Sequence, residues 1–516
     1  MKLRSMKHER GQAIFLALAA IIFLSLMTYA AFNISQMTHA KTQTLNAADA
    51  GAYAMATVVA RDLNFIAYTN RAMVANHAVI GQLVSLASLS QMVYLAADDI
   101  SKLKYLAGIP YIGPILEAIG EAFEELKEII EDMVLPALRE IASAQNMLIK
   151  GLFVMQSGVH GVTVADVSGA IDAVVKANDP QLEWSALEGT TGVELAGTAG
   201  TAALTAGFLA NFTEQRKSSR TKNAYDNSNS SGPDPNYDRM RQVVNLSRDR
   251  FTDRHEWPPT PPGSPYIPSY GFLDSDYFFH GGAELSSDNE TWVAVDGFEL
   301  KFWDICWGWS GPYICTKWLR LWMAGDVTAN DYTFDDESNN DWRNLSSGGL
   351  SSSSRNSFWG SLLGSLFGGR FSDGHSMAYH WDRNRNTGSM KDTYDGIQPY
   401  WDLQKIKEGE RNEFTFVVMV HKPVQSNSTP NATQTFQTKA GNPFHLSEGR
   451  PKVFGLAAAE VYFRRPTTNE HDPSAGRLPN KSYPDGTYAS LFSPYWQPRL
   501  TAVPVAVAAN LQLTGP

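Results

Sequence analysis

The hydrophobic pattern of the chain is dominated by one apolar segment near its N-terminus. Residues 11–40 contain no Asp, Glu, Lys or Arg, and the 20 residues Ala13–Phe32 read AIFLALAAIIFLSLMTYAAF. A helix rises about 1.5 Å per residue, so a segment of this length spans about 30 Å, the thickness of the hydrocarbon core of a bilayer. The pattern therefore predicts a membrane-spanning helix over about residues 13–34.

Positive charge precedes this segment. Lys2, Arg4, Lys7 and Arg10 are opposed only by Glu9. An excess of Lys and Arg beside a span stays in the cytoplasm, so residues 1–10 are predicted to form a cytoplasmic tail and the bulk of the chain to lie outside. A cleaved signal peptide is the alternative, but signal peptides have apolar regions of about 7–15 residues, and the sequence around Ala40 is a poor cleavage site.

The pattern after the apolar segment predicts a helical domain over residues 41–213. Apolar residues recur at intervals of three and four from Leu63 to Val84, which is typical of one face of a helix. Asn70 and His77 lie on that face, where polar residues at a helix–helix contact are a simpler interpretation than a metal site. Small residues would let another helix approach closely. We therefore predict an assembly interface at Ala47, Ala48, Ala50, Gly51 and Ala52.

The character of the sequence changes after residue 213. Residues 214–268 are polar and rich in Ser, Asn and Pro, which predicts a linker or loop. Runs of β-branched and aromatic residues bounded by turn formers then predict a β-rich domain over residues 269–516, with a flexible surface insertion at residues 339–370. The predicted fold class is α+β, with a transmembrane helix that continues into a helical domain and a β-rich extracytoplasmic domain.

The two cysteines predict a disulfide. Cys306 and Cys315 flank a Gly- and Pro-containing segment between two strand-like runs, which indicates a hairpin. Thiols outside the cytoplasm can pair, and closing a loop of this size stabilises a fold by roughly 2–3 kcal/mol. Two separate buried thiols are the alternative.

The N-terminal residues resemble a known family. Arg10-Gly11-Gln12-Ala13 precedes the apolar segment, and Thr44-Leu45-Asn46-Ala47-Ala48-Asp49-Ala50-Gly51-Ala52 follows it. This arrangement is similar to the anchor module of the Flp pilus-assembly TadE/G-like family, and it covers residues 11–55. Four shorter segments further along also look like long members of that group: residues 60–64, 67–76, 459–463 and 491–497.

The resemblance implies a function. It implies a single-pass protein of the bacterial inner membrane, with a cytoplasmic N-terminus, that assists assembly of a tight-adherence pilus or its secretion platform. The implied partners are the lipid bilayer, inner-membrane pilus-assembly or secretion proteins and other pilin-like subunits. A large minor pseudopilin or an anchored surface adhesin is one alternative, and an anchored extracytoplasmic hydrolase is another.

Catalytic motifs are missing from the sequence. It contains no G-x-S-x-G, H-E-x-x-H, P-loop, G-x-G-x-x-G or C-x-x-C pattern. We therefore expect no enzymatic activity, and we assign no catalytic, cofactor-binding or metal-binding residue. The net charge of −10 argues against a nucleic-acid partner, because nucleic-acid binding depends on basic surfaces.

Overall fold

A computed structural model describes most of the helical part of the chain and the strands of three sheets. The described residues are 10–108, 110–187, 194–196, 205–207, 209, 212–216, 239–257, 277–286, 289–308, 311–328, 389–403, 415–422, 453–464, 490–505 and 507. The predicted cytoplasmic residues 1–9 and the predicted insertion 339–370 lie outside this set.

The helices are concentrated in the first third of the chain. They are α1 (Arg10–Ser101), α2 (Gly113–Ile129), α3 (Leu135–Asn178), α4 (Arg239–Leu246) and α5 (Arg250–Asp253). A 3₁₀ turn, Lys102–Leu106, follows α1, and a π-helical turn, Ile130–Val134, joins α2 to α3. Pro136 lies directly after this π-helical turn, inside a continuous helix, where a proline removes one backbone N–H from the hydrogen-bond ladder.

The strands form three sheets. The strands are β1 (Glu183–Leu187), β2 (Glu194–Ala196), β3 (Thr213–Arg216), β4 (His255–Trp257), β5 (Tyr277–Leu285), β6 (Trp292–Gly308), β7 (Gly311–Val327), β8 (Tyr400–Leu403), β9 (Thr415–Lys422), β10 (Val453–Phe463) and β11 (Trp496–Thr501). One antiparallel sheet has the order β11-β10-β9-β1-β2, another has the order β4-β5-β6-β7, and β3 pairs with β8. A long apolar helix, a helical region and these sheets together confirm the α+β class.

The chain divides into two compact units built from separated segments. Unit 1 contains residues 1–68, 156–214 and 401–516, and unit 2 contains residues 69–155 and 215–400. These boundaries cross the sequential domains that the sequence predicts. The strand β1 falls in the predicted helical domain, yet its residues pair with β9 from the predicted β-rich domain. Short helices and a strand, α4, α5 and β4, lie where the sequence predicts a linker.

The core of unit 1 lies between two helices and a sheet. Its buried residues come from one face of α1, one face of α3 and alternate positions of β9 and β10, such as Phe416, Val418 and Ala459. Successive side chains of a strand point to opposite faces, so Val417 and Met419 form a second apolar cluster on the other side of the sheet. The sheet of unit 1 is therefore covered by apolar contacts on both faces.

Most of the small residues after the apolar segment lie in the core of unit 1, whereas the sequence predicts an assembly interface at Ala47, Ala48, Ala50, Gly51 and Ala52. Ala47, Ala48 and Ala52 are fully buried in the unit 1 core, and Ala50 is half-buried. A Cβ atom on Gly51 would lie 3.2 Å from Val175 Cγ2 and 3.6 Å from Val418 Cγ1. The close approach of Gly51 is therefore made to α3 and β9 of the same chain.

The predicted hairpin of the cysteines is formed by β6 and β7. Its register places Cys306 opposite Tyr313 and Cys315 opposite Asp304, so the two cysteines are diagonal neighbours. Diagonal residues have Cα atoms about 7–8 Å apart, whereas disulfides usually join Cα atoms about 4.4–6.8 Å apart. A bridge would therefore require a shift of this register. The two cysteine side chains lie outside the described residues, and the disulfide stays a prediction.

Replacing Gly51 with Leu tests the intramolecular role of the small residues. The larger side chain has no room between α3 and β9, and overpacking of this kind costs about 1–3 kcal/mol. We expect the free energy of unfolding, measured by urea titration of the purified chain, to fall by that amount. The control is Ala173→Leu at an exposed position of α3, which is expected to change stability little. Unchanged stability of Gly51→Leu would contradict this intramolecular role and favour the predicted partner interface.

Candidate membrane-anchoring site and buried polar clusters

The first turns of α1 carry apolar side chains that contact nothing else in the described part of the chain. Each is between 45% and 76% exposed: Ile14, Phe15, Leu16, Leu18, Ile21, Ile22, Phe23, Leu24, Leu26, Met27, Tyr29 and Phe32. These residues surround the helix on all sides. A helix that is hydrophobic all round requires an apolar environment, either the core of a large protein or a membrane.

The backbone and the polar side chains of this segment are suited to lipid. An α-helix satisfies its backbone hydrogen bonds internally, which is the condition for crossing a bilayer. The Thr28 hydroxyl donates to the Leu24 carbonyl oxygen at 2.8 Å, so this group also has its partner within the helix. Leu, Ile, Phe and Val each favour insertion by about 0.3–0.6 kcal/mol at the centre of a span. Residues 14–32 therefore form the candidate anchoring site.

A second stretch of helix also passes a test of length and apolar content. It is the continuous stretch Gly113–Asn178, in which the most apolar window is partly buried in the described protein, whereas that of α1 is not buried at all. Buried Asn146 and Gln156 lie within it. Polar residues inside a span are costly, so the candidate anchor is α1.

The exposed segment of α1 joins the core of unit 1 within a few residues. Ala40 and Thr44 are buried, and a Cβ atom on Gly455 of β10 would lie 2.7 Å from the Thr44 carbonyl oxygen. The Lys41 ammonium donates to the Phe454 carbonyl oxygen at 2.6 Å and lies 4.8 Å from the centre of its ring. A glycine at 455 thus permits β10 to contact the helix backbone directly.

Three of the segments that carry the family resemblance meet in unit 1, although they are far apart in the sequence. The Asn64 amide donates to the Trp496 carbonyl oxygen at 2.8 Å and accepts from the Trp496 amide at 3.0 Å. Phe463 of β10 pairs with Trp496 of β11, and their rings are 5.3 Å apart in a T-shaped arrangement. An Asn side chain can satisfy both backbone groups of one residue, which gives a packing reason for these residue types.

A buried polar cluster in unit 1 has the order of groups found in hydrolases. His160 Nδ1 lies 2.6 Å from Asp62 Oδ2, and His160 Nε2 lies 3.3 Å from the Thr213 hydroxyl. The Trp401 ring lies 4.4 Å from the imidazole. An acid, a histidine and a hydroxyl in this sequence form the proton-transfer path of a nucleophilic triad.

The geometry of this cluster does not fit nucleophilic catalysis. All three groups are buried, and the Thr213 hydroxyl donates to the Leu209 carbonyl oxygen at 2.6 Å. A nucleophile has to reach a substrate and give its proton to the base. The hydroxyl of Thr213 is positioned for neither step, so the cluster ties α1 to α3 rather than forming an active site.

His77 in unit 2 is a packed histidine, as the sequence predicts. The Tyr394 hydroxyl oxygen lies 2.9 Å from His77 Nδ1, within hydrogen-bond distance, and the two rings meet edge to face with centroids 5.6 Å apart. Complete burial lowers the pKa of His77 to about 3, so the imidazole is neutral. No group of three or more His, Cys, Asp or Glu side chains suited to a metal occurs among the described residues.

Asp326 is a buried acid of unit 2 with several hydrogen-bond donors around it. Its carboxylate accepts from Ser389 at 2.5 Å, from Gln91 of α1 at 2.9 Å and from the Val327 amide at 2.8 Å. Burial raises the pKa of Asp326 to about 7, although these hydrogen bonds favour the charged form. The carboxyl group therefore titrates near neutral pH while it links α1 to β7.

A His–Asp pair lies on the same face of this sheet, because Asp296 of β6 is a diagonal neighbour of Asp326 on β7. His255 Nε2 lies 2.7 Å from Asp296 Oδ1, and Nδ1 lies 2.8 Å from the Phe251 carbonyl oxygen. Burial lowers the pKa of His255, but the hydrogen bond and charge of Asp296 outweigh it and leave the pKa raised. A Cβ atom on Gly281 would lie 2.1 Å from Asp296 Oδ1, so only glycine leaves room for the pair.

Sequence reasoning missed these clusters because their members are distant along the chain. The separations are 98 residues for Asp62 and His160, 432 for Asn64 and Trp496, and 235 for Gln91 and Asp326. The only local signal is a polar residue on an otherwise apolar helix face, which drew attention to His77.

The pH dependence of stability tests the state of Asp326. Its pKa is raised from 3.8, so between about pH 4 and 7 the folded chain holds a proton that the unfolded chain has lost, and stability falls as the pH rises through this window. Asp326→Asn removes this titration. We expect its free energy of unfolding, relative to wild type, to improve by about 1 kcal/mol or more from pH 5 to pH 8.

The matched control is Glu117→Gln on the exposed face of α2. Its difference from wild type is expected to stay constant over the same range in urea titrations. A constant difference for Asp326→Asn as well would show that the carboxyl group has an ordinary pKa.

Comparison with known proteins adds no assignment to this geometry. No family model matches the sequence, and neither the curated proteins nor the solved structures contain a significant match. Taken together, the features of the described residues are an uncovered apolar helix segment, a folded core built directly onto that helix, and buried polar ties without an accessible reactive group.

Proposed function

We propose that this chain is a single-pass membrane-anchored accessory protein that assists assembly of a tight-adherence pilus or its secretion platform. The observation that carries the proposal is the apolar segment of α1, which is exposed on every side and continues without a break into the core of unit 1. Such a helix fixes a folded unit directly at the membrane surface. The resemblance of residues 11–55 to the TadE/G-like family supplies the assembly role.

The orientation in this proposal rests on charge. Four basic residues precede the span, and they favour a cytoplasmic N-terminus in the inner membrane of a bacterium. The two units then lie on the extracytoplasmic side. There they meet lipid, other pilin-like subunits and inner-membrane assembly or secretion proteins.

The burial of the small residues moves the proposed partner contact to another face of α1. The exposed side of the helix within unit 1 carries Leu45, Asp49, Tyr53, Arg61 and Tyr68. Leu45, Tyr53 and Tyr68 are large apolar or aromatic side chains at helical spacing. Aromatic residues are enriched where proteins bind one another. This exposed α1 face is therefore where a helix of another subunit would pack beside the anchor.

Photo-crosslinking from tyrosine positions tests the assembly role. Tyr53 and Tyr68 are exposed, so the larger aromatic residue benzoylphenylalanine can replace either of them on the exposed α1 face with little effect on folding. We expect irradiation of cells that carry a complete pilus system to link these positions to an inner-membrane assembly protein or a pilin-like subunit, identified by mass spectrometry.

The same replacement at Tyr111 provides the matched control. Tyr111 is highly exposed but follows α1 rather than lying on it. It is expected to give none of the products seen from Tyr53 and Tyr68. The assembly proposal fails if the α1 positions give no product, or if all three positions give the same products.

A further inference from the structure

The exposed face of α3 has a heptad pattern of alternating large and small residues. Large apolar residues recur every seven positions at Ile141, Leu148, Met155 and Val162. Small residues recur with the same period at Ala144, Gly151, Gly158 and Ala165. Spacings of three and four residues place all eight on one stripe, which we call the α3 seam, and such a repeat is typical of a helix–helix contact.

The α3 seam is uncovered in the described protein. All eight residues are exposed, and the large apolar side chains on and beside the seam are between 36% and 72% exposed: Ile141, Met147, Leu148, Val154, Met155, Val159 and Val162. At about 1.5 Å per residue the seam is about 37 Å long. Covering these side chains on two copies reaches the order of 1,000 Å² that a specific interface needs.

The glycines of the seam make no close packing contact within the described part of the chain. A Cβ atom on Gly151, Gly158 or the neighbouring Gly161 would meet nothing within 4 Å. Each glycine in a helix interior is less favourable than alanine by about 1 kcal/mol. These three residues are therefore unfavourable for α3 itself, and a close approach by another helix is what would give them a use.

The seam is complementary to itself when two copies run antiparallel. Antiparallel helices place each large heptad position against the other position of the partner helix, so Leu148 faces Gly158 of a second copy and Met155 faces Gly151. Ile141 and Val162 likewise face Ala165 and Ala144. Every layer then contains one large and one small residue. A parallel pair would instead stack Met155 on Met155 and Gly158 on Gly158, which gives layers of unequal thickness.

The charges along α3 permit this arrangement. Between Glu140 and Asp166 the only Lys, Arg, Asp or Glu is Lys150, whose ammonium lies 2.6 Å from an Asp395 carboxylate oxygen. In the antiparallel register the positions beside the seam bring Gln145 towards Asp166 and Glu140 towards Gly161. No two like charges face each other.

We infer that a second copy of this chain binds the α3 seam, and that the two α3 helices pack antiparallel to form a homodimer. The inference does not rest on the proposed role in pilus assembly. It assigns α3 to self-association and leaves the exposed α1 face to other partners.

Cysteine crosslinking in the full-length chain tests the pairing and its direction. Ala144 and Val162 are 18 residues apart in the sequence, or about 27 Å along the helix. When a tagged Ala144→Cys chain is mixed with a differently tagged Val162→Cys chain, oxidation should give a covalent dimer that carries both tags. Neither variant alone should crosslink more than wild type, which controls for Cys306 and Cys315.

A second measurement tests how larger side chains in the α3 seam affect dimer formation. The double variant Gly151→Leu/Gly158→Leu overfills four layers of the dimer, two from each copy, while favouring the helix. The chain should therefore fold, and its dimer dissociation constant in sedimentation should rise by about tenfold or more. Ala173→Leu, outside the seam on α3, should leave the constant unchanged. Crosslinking of Ala144→Cys to itself would overturn the inference. So would a chain that stays monomeric at all concentrations while its seam cysteines react with a lipid-soluble maleimide.

Discussion

The structure depends on one long helix, α1, whose apolar side chains need cover along its whole length. They meet two different environments. Beyond about Ala40, α1 buries its apolar face against α3 and the five-stranded sheet of unit 1. Before that point its apolar side chains lack any covering contact in the described protein. A helix satisfies its own backbone but not its apolar side chains, so the first segment requires an apolar environment just as the second requires a core. The continuous helix α1 then links the exposed apolar segment to the segment that lies in the core.

Polar ties fix the second part of α1 in place. Asn64 satisfies both backbone groups of Trp496, and Asp62 holds His160 of α3. Further along the helix, Gln91 reaches the buried carboxyl group of Asp326. A buried polar group that loses its partner costs about 1–3 kcal/mol, so each tie specifies one position of the helix against its surroundings. Such ties also explain why a catalytic interpretation of Asp62 and His160 is unnecessary.

The sequence predicted α1 well because its signals are local. The absence of charge, the spacing of apolar residues and the run of small residues from Ala47 to Ala52 are all read within a few turns. The same run shows the limit of local signals. Small residues indicate that another element packs closely against the helix, but they do not indicate which one. Here α3 and β9 pack against Gly51, through Val175 and Val418.

The composition of the units could not be read in the same way. Glu183–Leu187 is too short to be distinguished by pattern, and it becomes a strand because β9 and β2 flank it. Unit 1 joins three segments whose contacts span hundreds of residues. Pairings such as Asn64 with Trp496 leave no trace in the neighbouring sequence, so they appear only when the chain is folded.

The central claim is that α1 crosses a membrane with its N-terminus in the cytoplasm, and cysteine accessibility tests it most directly. Single cysteines are placed at Ser5 and at exposed Thr42, on either side of the apolar segment, in chains with Cys306 and Cys315 changed to serine. With an impermeant maleimide added to cells whose outer envelope is permeable to it, the account predicts labelling of the Thr42 position at once. The Ser5 position should react only after the inner membrane is opened. Equal labelling of the two positions in intact cells would contradict the account.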